Sequence, residues 1–268
     1  MRRRLDRIEA ARGDVIAVAS DYPDGFRVNE HRHSRGQLLH ALSGVVMIST
    51  REGRWMVPPD HAMWIPAGVD HAVEMLGPVR MRSAYVLPGS AAGLPGGLRV
   101  LAMSDLMRGL VVEAVEFALD AADARSTAIM RLILLEIPRL EERPLTLPFP
   151  ADPRLARLCR RFVEKPSSHA GIDDWAARAG MSRRSFTRAF QRETGLSLSV
   201  WRRQATLFAA LPRLAEGASV TNVALDLGYE SAPAFTTMFR RMLGTPPRSY
   251  MRRSAAREPF KNGEKATI

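Results

Sequence analysis

The sequence lacks the features of disulfide-stabilised, multi-thiolate and membrane-spanning proteins. Cys159 is its single cysteine, which excludes an intramolecular disulfide and any zinc site built from several thiolates. No stretch approaches the ~20 apolar residues of a transmembrane helix. Asp6, Arg7 and Glu9 interrupt the run that a signal peptide would need after its charged start. We therefore expect a soluble protein of the reducing cytoplasm.

Acidic residues are scarce in only one half of the chain. Residues 152–268 contain 21 Lys and Arg against 10 Asp and Glu, whereas residues 1–151 contain 18 of each. The whole net charge of +11 therefore falls in the C-terminal half. A generally basic proteome would spread the excess over both halves. The asymmetry instead indicates a polyanion-binding domain joined to a neutral domain with another task.

Short strands are predicted between residues 15 and 87. Apolar or β-branched runs such as 45–48 and 55–57 alternate with dipeptides that contain glycine or proline, which is typical of strands and turns. Several such strands at this spacing favour an antiparallel sandwich or a small barrel.

The periodicity then becomes helical. Ser104 is the predicted N-cap of a helix over 104–121, and a second helix over 127–140 is strained or ended near Pro138. The predicted apolar stripes consist of Leu106, Leu110, Val111, Ala114, Phe117 and Ala118 in the first helix and Ile129, Leu132, Ile133 and Leu140 in the second.

A proline-rich segment separates the two halves. Residues 143–150 contain three prolines and cannot form a helix, so we interpret residues 144–151 as an interdomain linker. Asp152 and Pro153 then provide an N-cap and a first helical residue, where a new helical domain is expected to begin.

The C-terminal half contains an internal repeat with a period of about 48 residues. Each copy has an Ala-x3-Gly segment, a Phe-x3-Phe segment and a glycine five residues after the second phenylalanine. The repeated residues are Ala176, Gly180, Phe186, Phe190 and Gly195 in the first copy and Ala224, Gly228, Phe235, Phe239 and Gly244 in the second.

Each repeated residue type suits a helix-turn-helix. Gly180 and Gly228 can adopt the positive φ of the turn. Ser182 and Ser231 lie where an N-cap would begin the second helix of each unit. The paired phenylalanines, one helical turn apart, would anchor that helix and leave its other face free. The repeat therefore predicts two helix-turn-helix units, joined by a helix over about residues 199–215 that Pro212 should bend or loosen.

With this repeat, residues 152–251 resemble the AraC/XylS family of bacterial transcription regulators. The resemblance is carried by residues 228–231 (Gly-Tyr-Glu-Ser), by the Phe-x3-Phe-Arg-Arg run and by residues 244–250 (Gly-Thr-Pro-Pro-Arg-Ser-Tyr). It implies that two recognition helices enter successive major-groove segments on one face of duplex DNA, in keeping with the ~34 Å helical repeat.

The two recognition helices are predicted to read DNA differently. Arg184, Thr187 and Arg188 would face base edges, where arginine pairs with guanine and adds about 1–3 kcal/mol of discrimination. The second helix has small residues at these positions and would read thymine methyls or bind mainly backbone. The other arginines are solvated surface or, as we favour, phosphate contacts. The full predicted DNA-binding set is Arg183, Arg184, Thr187, Arg188, Arg202, Ser231, Ala232, Pro233, Thr236, Thr237, Arg240, Arg241 and Arg248.

Histidines in the N-terminal half resemble the two short motifs of the cupin β-barrel. The pattern is His31-x-His33-x3-Gln37-x6-Gly44, followed by Pro66-x-Gly68-x2-His71. In cupins two histidines, an acidic residue and a third histidine hold a divalent metal, and here the neutral Gln37 replaces the acid. Two interpretations stay open: these residues hold a metal, or, as we favour from sequence, they line a barrel without one. The predicted effector-pocket residues are His31, His33, Gln37, Met47, Trp64 and His71.

The sequence thus predicts an α+β protein of two domains. Residues 1–143 form a cupin-like β-barrel with added helices, residues 152–251 form an all-α double helix-turn-helix domain, and residues 252–268 form a disordered tail. We expect a sequence-specific activator or repressor that responds to a small ligand or metal. Its expected partners are duplex DNA, a second copy of the chain and RNA polymerase. The resemblance implies that the helices after the barrel bind the second copy, and the alternative is that they pack on the barrel or on the DNA-binding domain. A metal-dependent cupin enzyme is the alternative, against which the neutral Gln37 argues.

Overall fold

The computed structural model describes residues 7–143, 145–166 and 171–256. It has the predicted two-domain layout, with a sheet-rich N-terminal domain and a helical C-terminal domain. The predicted tail begins too early, because residues 252–256 continue the last helix. The rest of that prediction, residues 257–268, lies outside the described residues.

The N-terminal domain, called here the sheet domain, is built on two long, bent strands. Its strands are β1 (Val15–Tyr22), β2 (Arg27–His31), β3 (Gly36–Ser49), β4 (Gly53–Val57), β5 (His61–Ile65), β6 (His71–Val86), β7 (Arg99–Ala102) and β8 (Thr146–Pro148). β3 and β6 pair with each other and each pairs with two further strands along its length. One layer therefore runs β1-β6-β3-β5-β7 and the other β2-β6-β3-β4-β8, and all pairs are antiparallel.

The bend in β3 is produced by irregular pairing around Gly44. The register with β6 shifts between Ala41 and Ser43 and again between Ser43 and Val45. Gly44 has φ 74°, and a Cβ atom there would lie 2.5 Å from the Pro78 carbonyl oxygen. Only glycine fits this conformation and this close approach, so the bend depends on it.

Two helices cover the outer face of the first layer. These are α1 (Asp105–Ala114) and α2 (Ala124–Glu136), followed by a 3-10 turn over Ile137–Arg139. Ser104 caps α1 as predicted, and α2 ends before Pro138 as predicted. The predicted stripes were wrong in part: α1 stops before Phe117, while Leu106 is 53% and Leu132 is 41% exposed.

The predicted linker contains a strand of the sheet. Residues 146–148 form β8, which pairs with β4, and the Leu145 carbonyl accepts a hydrogen bond from the Met56 amide. Leu145 and Leu147 are both fully buried. Their burial fixes the end of the sheet domain against the start of the helical domain, so this segment is not a free spacer.

The C-terminal domain consists of helices throughout its described residues. They are α3 (Pro153–Glu164), α4 (Ile172–Arg178), α5 (Arg183–Thr194), α6 (Leu198–Ala215), α7 (Val220–Asp226), α8 (Ala232–Leu243) and α9 (Pro247–Ala256). Asp152 caps α3 with Pro153 as its first residue, as predicted. α6 runs through Pro212 to its end at Ala215, so the proline does not interrupt the joining helix.

Trp201 lies at the centre of the helical domain. It is fully buried, and its ring contacts the rings of Phe162, Trp175 and Phe190 at centroid distances of 6.0–6.2 Å. Its indole nitrogen donates to the Pro148 carbonyl of β8 over 2.7 Å. The hydrophobic core is continuous from this cluster into the sheet domain, so the two domains pack as one body.

Candidate nucleic-acid interface and sensor site

The two predicted helix-turn-helix units have the same turn geometry. They are formed by α4 with α5 and by α7 with α8. Gly180 and Gly228 have φ values of 66° and 80°, the left-handed conformation that the sequence predicted. Ser182 and Ser231 cap α5 and α8 by accepting hydrogen bonds from backbone amides in the first turn.

The paired phenylalanines anchor both second helices. Phe186 and Phe190 of α5 and Phe235 and Phe239 of α8 are each at most 1% exposed. Within each pair the ring centroids are 5.6 and 5.8 Å apart. Burial of one face leaves the opposite face of each helix available to a ligand.

The free face of α5 is basic. Arg183, Arg184, Thr187 and Arg188 are all exposed. Arg183 forms an ion pair with Asp173 over 3.4 Å, and the Thr187 hydroxyl donates to the Arg183 carbonyl. Arg184 and Arg188 form no ion pair or side-chain hydrogen bond within the described part of the chain, and both are long donors of this face.

Sequence reasoning missed two further residues of this face. Ser185 and Gln191 are exposed, and Gln191 follows Arg184 and Arg188 at the spacing of one helical face. That spacing was available in the sequence and could have identified Gln191 as a candidate base contact.

The first two turns of α8 offer few donors on its free face, whereas the exposed Arg240 follows Pro233 and Thr237 at the same spacing as Gln191 in α5. Pro233 and Thr237 are exposed, whereas Ala232 and Thr236 are half-buried. The Thr237 hydroxyl donates to the Pro233 carbonyl over 3.0 Å, which leaves mainly methyl and methylene groups outward. Ala234, which the sequence analysis did not select, is also exposed.

The remaining predicted arginines lie in two kinds of environment. Arg240, Arg241 and Arg248 are exposed near the end of α8 and the beginning of α9. Arg202 is half-buried, with its guanidinium carbon 5.3 Å from the centroid of the Phe162 ring. Burial lowers the pKa of Arg202. Its surroundings are those of a packing residue rather than of an extended phosphate contact.

In the sheet domain the predicted histidines converge. His31 ends β2, His71 begins β6, and the two are register partners, with ring centroids 4.3 Å apart. His33 lies in the following turn, 5.1 Å from His71 by the same measure. The nitrogen atoms of these three residues that could bind a metal lie within 4.8 Å of one another.

Main-chain carbonyl groups orient all three imidazole rings. Each Nδ1 lies 2.7–2.9 Å from a carbonyl oxygen two residues away in sequence, at Asn29, Arg35 and Val69 respectively. At His31 and His71, donation from Nδ1–H leaves Nε2 as the basic nitrogen, the orientation usual for metal-binding histidines. His71 Nε2 is buried and has no hydrogen-bond partner among the described residues. Burial lowers the pKa of His31 and brings that of His71 to about 4, so both rings are neutral at pH 7.

Gln37 joins His33 to two hydroxyl groups. Its side-chain oxygen is 3.0 Å from His33 Nε2. Its nitrogen donates to the hydroxyls of Ser83 and Tyr85 over 3.0 and 3.1 Å. This network holds Gln37 in a buried position beside the histidines, with its carboxamide oxygen directed at His33 Nε2.

The interior cavity at this site is small. Its volume is about 30 Å³, roughly the space of one water molecule. The predicted residues that line it are His31, Gln37 and His71. Of the other predicted residues, His33, Met47 and Trp64 are not among those that line this cavity. Trp64 pairs with Leu38 on the face beneath α1 and α2, and its indole nitrogen donates to the Pro95 carbonyl over 2.7 Å.

Met47 lies on the wrong face because of the irregular pairing in β3. It is the register partner of Glu74, whereas its neighbour Val46 is the partner of Met75, a residue that lines the cavity. Cross-strand partners share a face and successive residues alternate, so Met47 faces away from the cavity.

Among the described helices, none is long and apolar enough to cross a lipid bilayer.

Comparison with known proteins gives matches for both domains. Residues 13–146 match the family described as AraC-like ligand binding domain, and residues 175–253 match a family described as helix-turn-helix domain. The HTH-type transcriptional regulator NimR of Escherichia coli (strain K12) is 33% identical over 230 residues, which cover 85% of this chain and 84% of NimR.

Two further similarities concern parts of the chain. The HTH-type transcriptional regulator RipA of Corynebacterium glutamicum is 30% identical over 109 residues, 41% of this chain and 33% of RipA. A crystal structure of the DNA-binding domain of AdpA in complex with a target DNA is 34% identical. That match has a TM-score of 0.38 and covers 40% of this chain and 96% of the AdpA chain.

Proposed function

This chain belongs to the AraC family of transcription regulators, and from that premise we propose that it reads a two-block operator with unequal recognition helices and responds to a divalent transition metal ion. The observation that carries the DNA-binding proposal is the repeated unit, in which a left-handed glycine, a serine cap and two buried phenylalanines present one free helix face twice. For such an arrangement we expect the two blocks to be spaced about one DNA helical turn apart.

The different DNA contacts proposed for α5 and α8 follow from the side chains on their free faces. Arg184 and Arg188 on α5 supply long donors suited to guanine edges. α8 presents Pro233 and a Thr237 hydroxyl that is already engaged with its own helix, so its contribution is thymine-methyl contact and backbone binding. Arg240, Arg241 and Arg248 add phosphate contacts that raise affinity without sequence choice.

The size and chemistry of the histidine cavity fit a metal ion rather than an organic effector. A cavity of about 30 Å³ is far below the roughly 300–1,000 Å³ of small-molecule pockets. His31, His33 and His71, with Gln37 as a neutral fourth donor, would hold the ion. A bound ion would supply a cross-link between the end of β2, the start of β6 and the start of β3. Whether the protein activates or represses transcription would depend on how this cross-link changes the position of the helical domain.

The other proposed properties are partners and location. The exposed Leu106, Leu132 and Leu135 on α1 and α2 support association with a second copy of the chain. RNA polymerase is the proposed protein partner at the promoter, and the cytoplasm is the proposed location because the ligand is chromosomal DNA. The alternative of a metal-dependent enzyme has no support in the relatives, which are regulators by name.

Selection of random duplex DNA by the full-length protein, followed by sequencing at two salt concentrations, tests the DNA-binding proposal. We expect a motif with two blocks about one helical turn apart, one of them richer in guanine contacts. Binding that is equal for all sequences and falls steeply with salt would contradict the proposal, because it would indicate a generic polyanion surface.

Titration of the metal-free protein with Co²⁺ and Zn²⁺, followed by absorbance and calorimetry, tests the metal proposal. We expect one ion per chain, with binding weakened strongly in His71→Ala. His169→Ala is the control, since His169 belongs to the sequence of the other domain and lies outside the described residues. Equal binding by both variants, or none by the wild type, would contradict a metal at this site and leave an organic effector that opens the barrel.

A further inference from the structure

The turn between β4 and β5 makes a direct hydrogen bond to the helical domain. The hydroxyl of Tyr250, on α9, donates to the Pro59 carbonyl oxygen over 2.6 Å. Tyr250 is only 3% exposed, and its ring centroid is 6.5 Å from that of His61. A residue of the DNA-binding domain is therefore seated inside the surface of the sheet domain.

The same turn is fixed from the side of the sheet domain. Asp60 has φ 69°, the single positive φ among non-glycine residues of the described chain. Its carboxylate pairs with Arg108 of α1, and its carbonyl accepts from the Met103 amide over 2.9 Å. His40 Nδ1 lies 2.7 Å from the His61 carbonyl oxygen. These contacts tie the turn to α1 and to β3, so it is a rigid point rather than a loose loop.

On its other side Tyr250 contacts the second recognition unit. Its ring lies 5.6 Å from the ring of Phe239 in an edge-to-face arrangement. Phe239 is fully buried and is one of the two residues that anchor α8. Tyr250 therefore bridges the β4–β5 turn and the base of α8. The first unit contacts the sheet domain differently. Phe190 of α5 packs on Trp201, and the Trp201 indole nitrogen donates to the Pro148 carbonyl of β8.

We propose that Tyr250 is a positioning residue for DNA recognition: its hydrogen bond to Pro59 sets the orientation of α8 relative to the sheet domain and α1. The inference rests on the proposed two-block function and adds to it that the two blocks are read with different dependence on the sheet domain. A change in the sheet domain that moves the β4–β5 turn would alter reading of the second block, while reading of the first block by α5 would stay the same.

The test is Tyr250→Phe in the full-length protein. This variant keeps the ring against Phe239 and removes only the hydroxyl. Tyr229→Phe is the matched control, because Tyr229 packs on Phe235 in the same unit and is half-buried but does not contact Pro59. Affinity is measured for the selected site and for versions in which either block is scrambled.

We expect Tyr250→Phe to weaken binding to the intact site by about three- to ten-fold, the worth of one buried neutral hydrogen bond. Binding to the site with a scrambled second block should match that of the wild type within two-fold. Tyr229→Phe should leave both affinities unchanged. An equal loss on both sites would overturn the proposal, since the hydroxyl would then serve stability alone. Tighter binding by Tyr250→Phe would overturn it too, because the contact would restrain rather than position α8.

Hydrogen–deuterium exchange without DNA separates this inference from the proposed function. Loss of the hydroxyl should speed exchange of the His61 and Met103 amides, which are hydrogen-bonded to the turn. If no two-block site is recovered but exchange rises, the proposed function fails while the contact stands. If exchange is unchanged, the turn is held without Tyr250 and the positioning role is refuted, whatever the DNA result.

Discussion

The two domains use their polar residues in opposite ways. The sheet domain carries no net charge in its sequence yet buries His33, Gln37, His40, His61 and His71. The helical domain carries the whole net charge of +11 and keeps its arginines at the surface or, for Arg202, against an aromatic ring. Buried imidazoles respond to protons and metal ions, whereas surface arginines respond to phosphate and salt. The proposed metal sensing and the DNA binding are thus separated in chemistry as well as in the chain.

Acidification should affect the sheet domain most. Burial lowers the pKa of His40 and of His61 from 6.5 to about 4. Because the folded pKa lies below the unfolded value, their contribution to stability is complete above pH 6.5 and is lost as the pH falls towards 4. The free energy of unfolding should fall by about 2–3 kcal/mol for each histidine across that window.

Urea denaturation between pH 7 and 5, above the range of most carboxylates, measures this slope. His61→Gln should give a shallower slope than the wild type because one titrating group is gone. If His61→Gln leaves the slope of unfolding free energy against pH unchanged, the pH dependence arises elsewhere. The sheet domain would then not differ from the helical domain through protonation of this buried histidine.

Within the helical domain, the largest difference should lie between α5 and α8. Arg188→Ala should cost about 1–3 kcal/mol of discrimination at one base of the first block. Thr237→Ala should cost much less at the second block, because the Thr237 hydroxyl already bonds to the Pro233 carbonyl. Affinities for single-base variants of the selected site measure both effects. Equal losses at the two blocks would remove the asymmetry between the helices.

The helix-turn-helix repeat could be predicted almost residue by residue, and the sheet domain could not. Gly180, Ser182 and Phe186 act through helical periodicity and local dihedral preference, which a short stretch of sequence contains. The faces of β3 depend instead on irregular pairing between Ala41 and Val45. Counting by twos from Gln37 puts Met47 inside, and the register shifts reverse that result.

Contacts between distant segments were missed for a related reason. Nothing local to His40 or His61 indicates that both are buried near Arg108, or that His61 lies beside Tyr250. The prolines around β8 led to the prediction of a linker there, although Leu145 and Leu147 show the alternate burial that is typical of a strand. These features become visible only when the chain brings separate elements together.

The turn glycines should affect the helical domain alone. Gly180→Ala places a Cβ in a left-handed conformation at φ 66°, at a cost of about 1–2 kcal/mol in stability. The thermal unfolding temperature and the affinity for the first block should both decrease, while the proposed metal binding by the sheet domain should be unchanged. A parallel loss of metal binding would show that the domains are more tightly coupled than their separate chemistry suggests.

The smallest expected effect concerns phosphate contacts. Arg248→Ala should weaken binding to all sequences alike and lower the slope of log affinity against log salt by about 1. Affinity measured over a series of salt concentrations tests this. A change confined to one base position would instead make Arg248 a sequence-reading residue.

The most direct test of the account is the affinity of wild type and Arg188→Ala for the selected site and for sites with the first or the second block scrambled. We expect that scrambling the first block lowers the affinity of the wild type more than scrambling the second. In Arg188→Ala, scrambling the first block should lower the affinity much less than it does in the wild type, whereas the effect of scrambling the second block should be unchanged. If the two blocks carry equal penalties in the wild type and Arg188→Ala lowers both, then α5 and α8 do not read separate blocks and the central claim is contradicted.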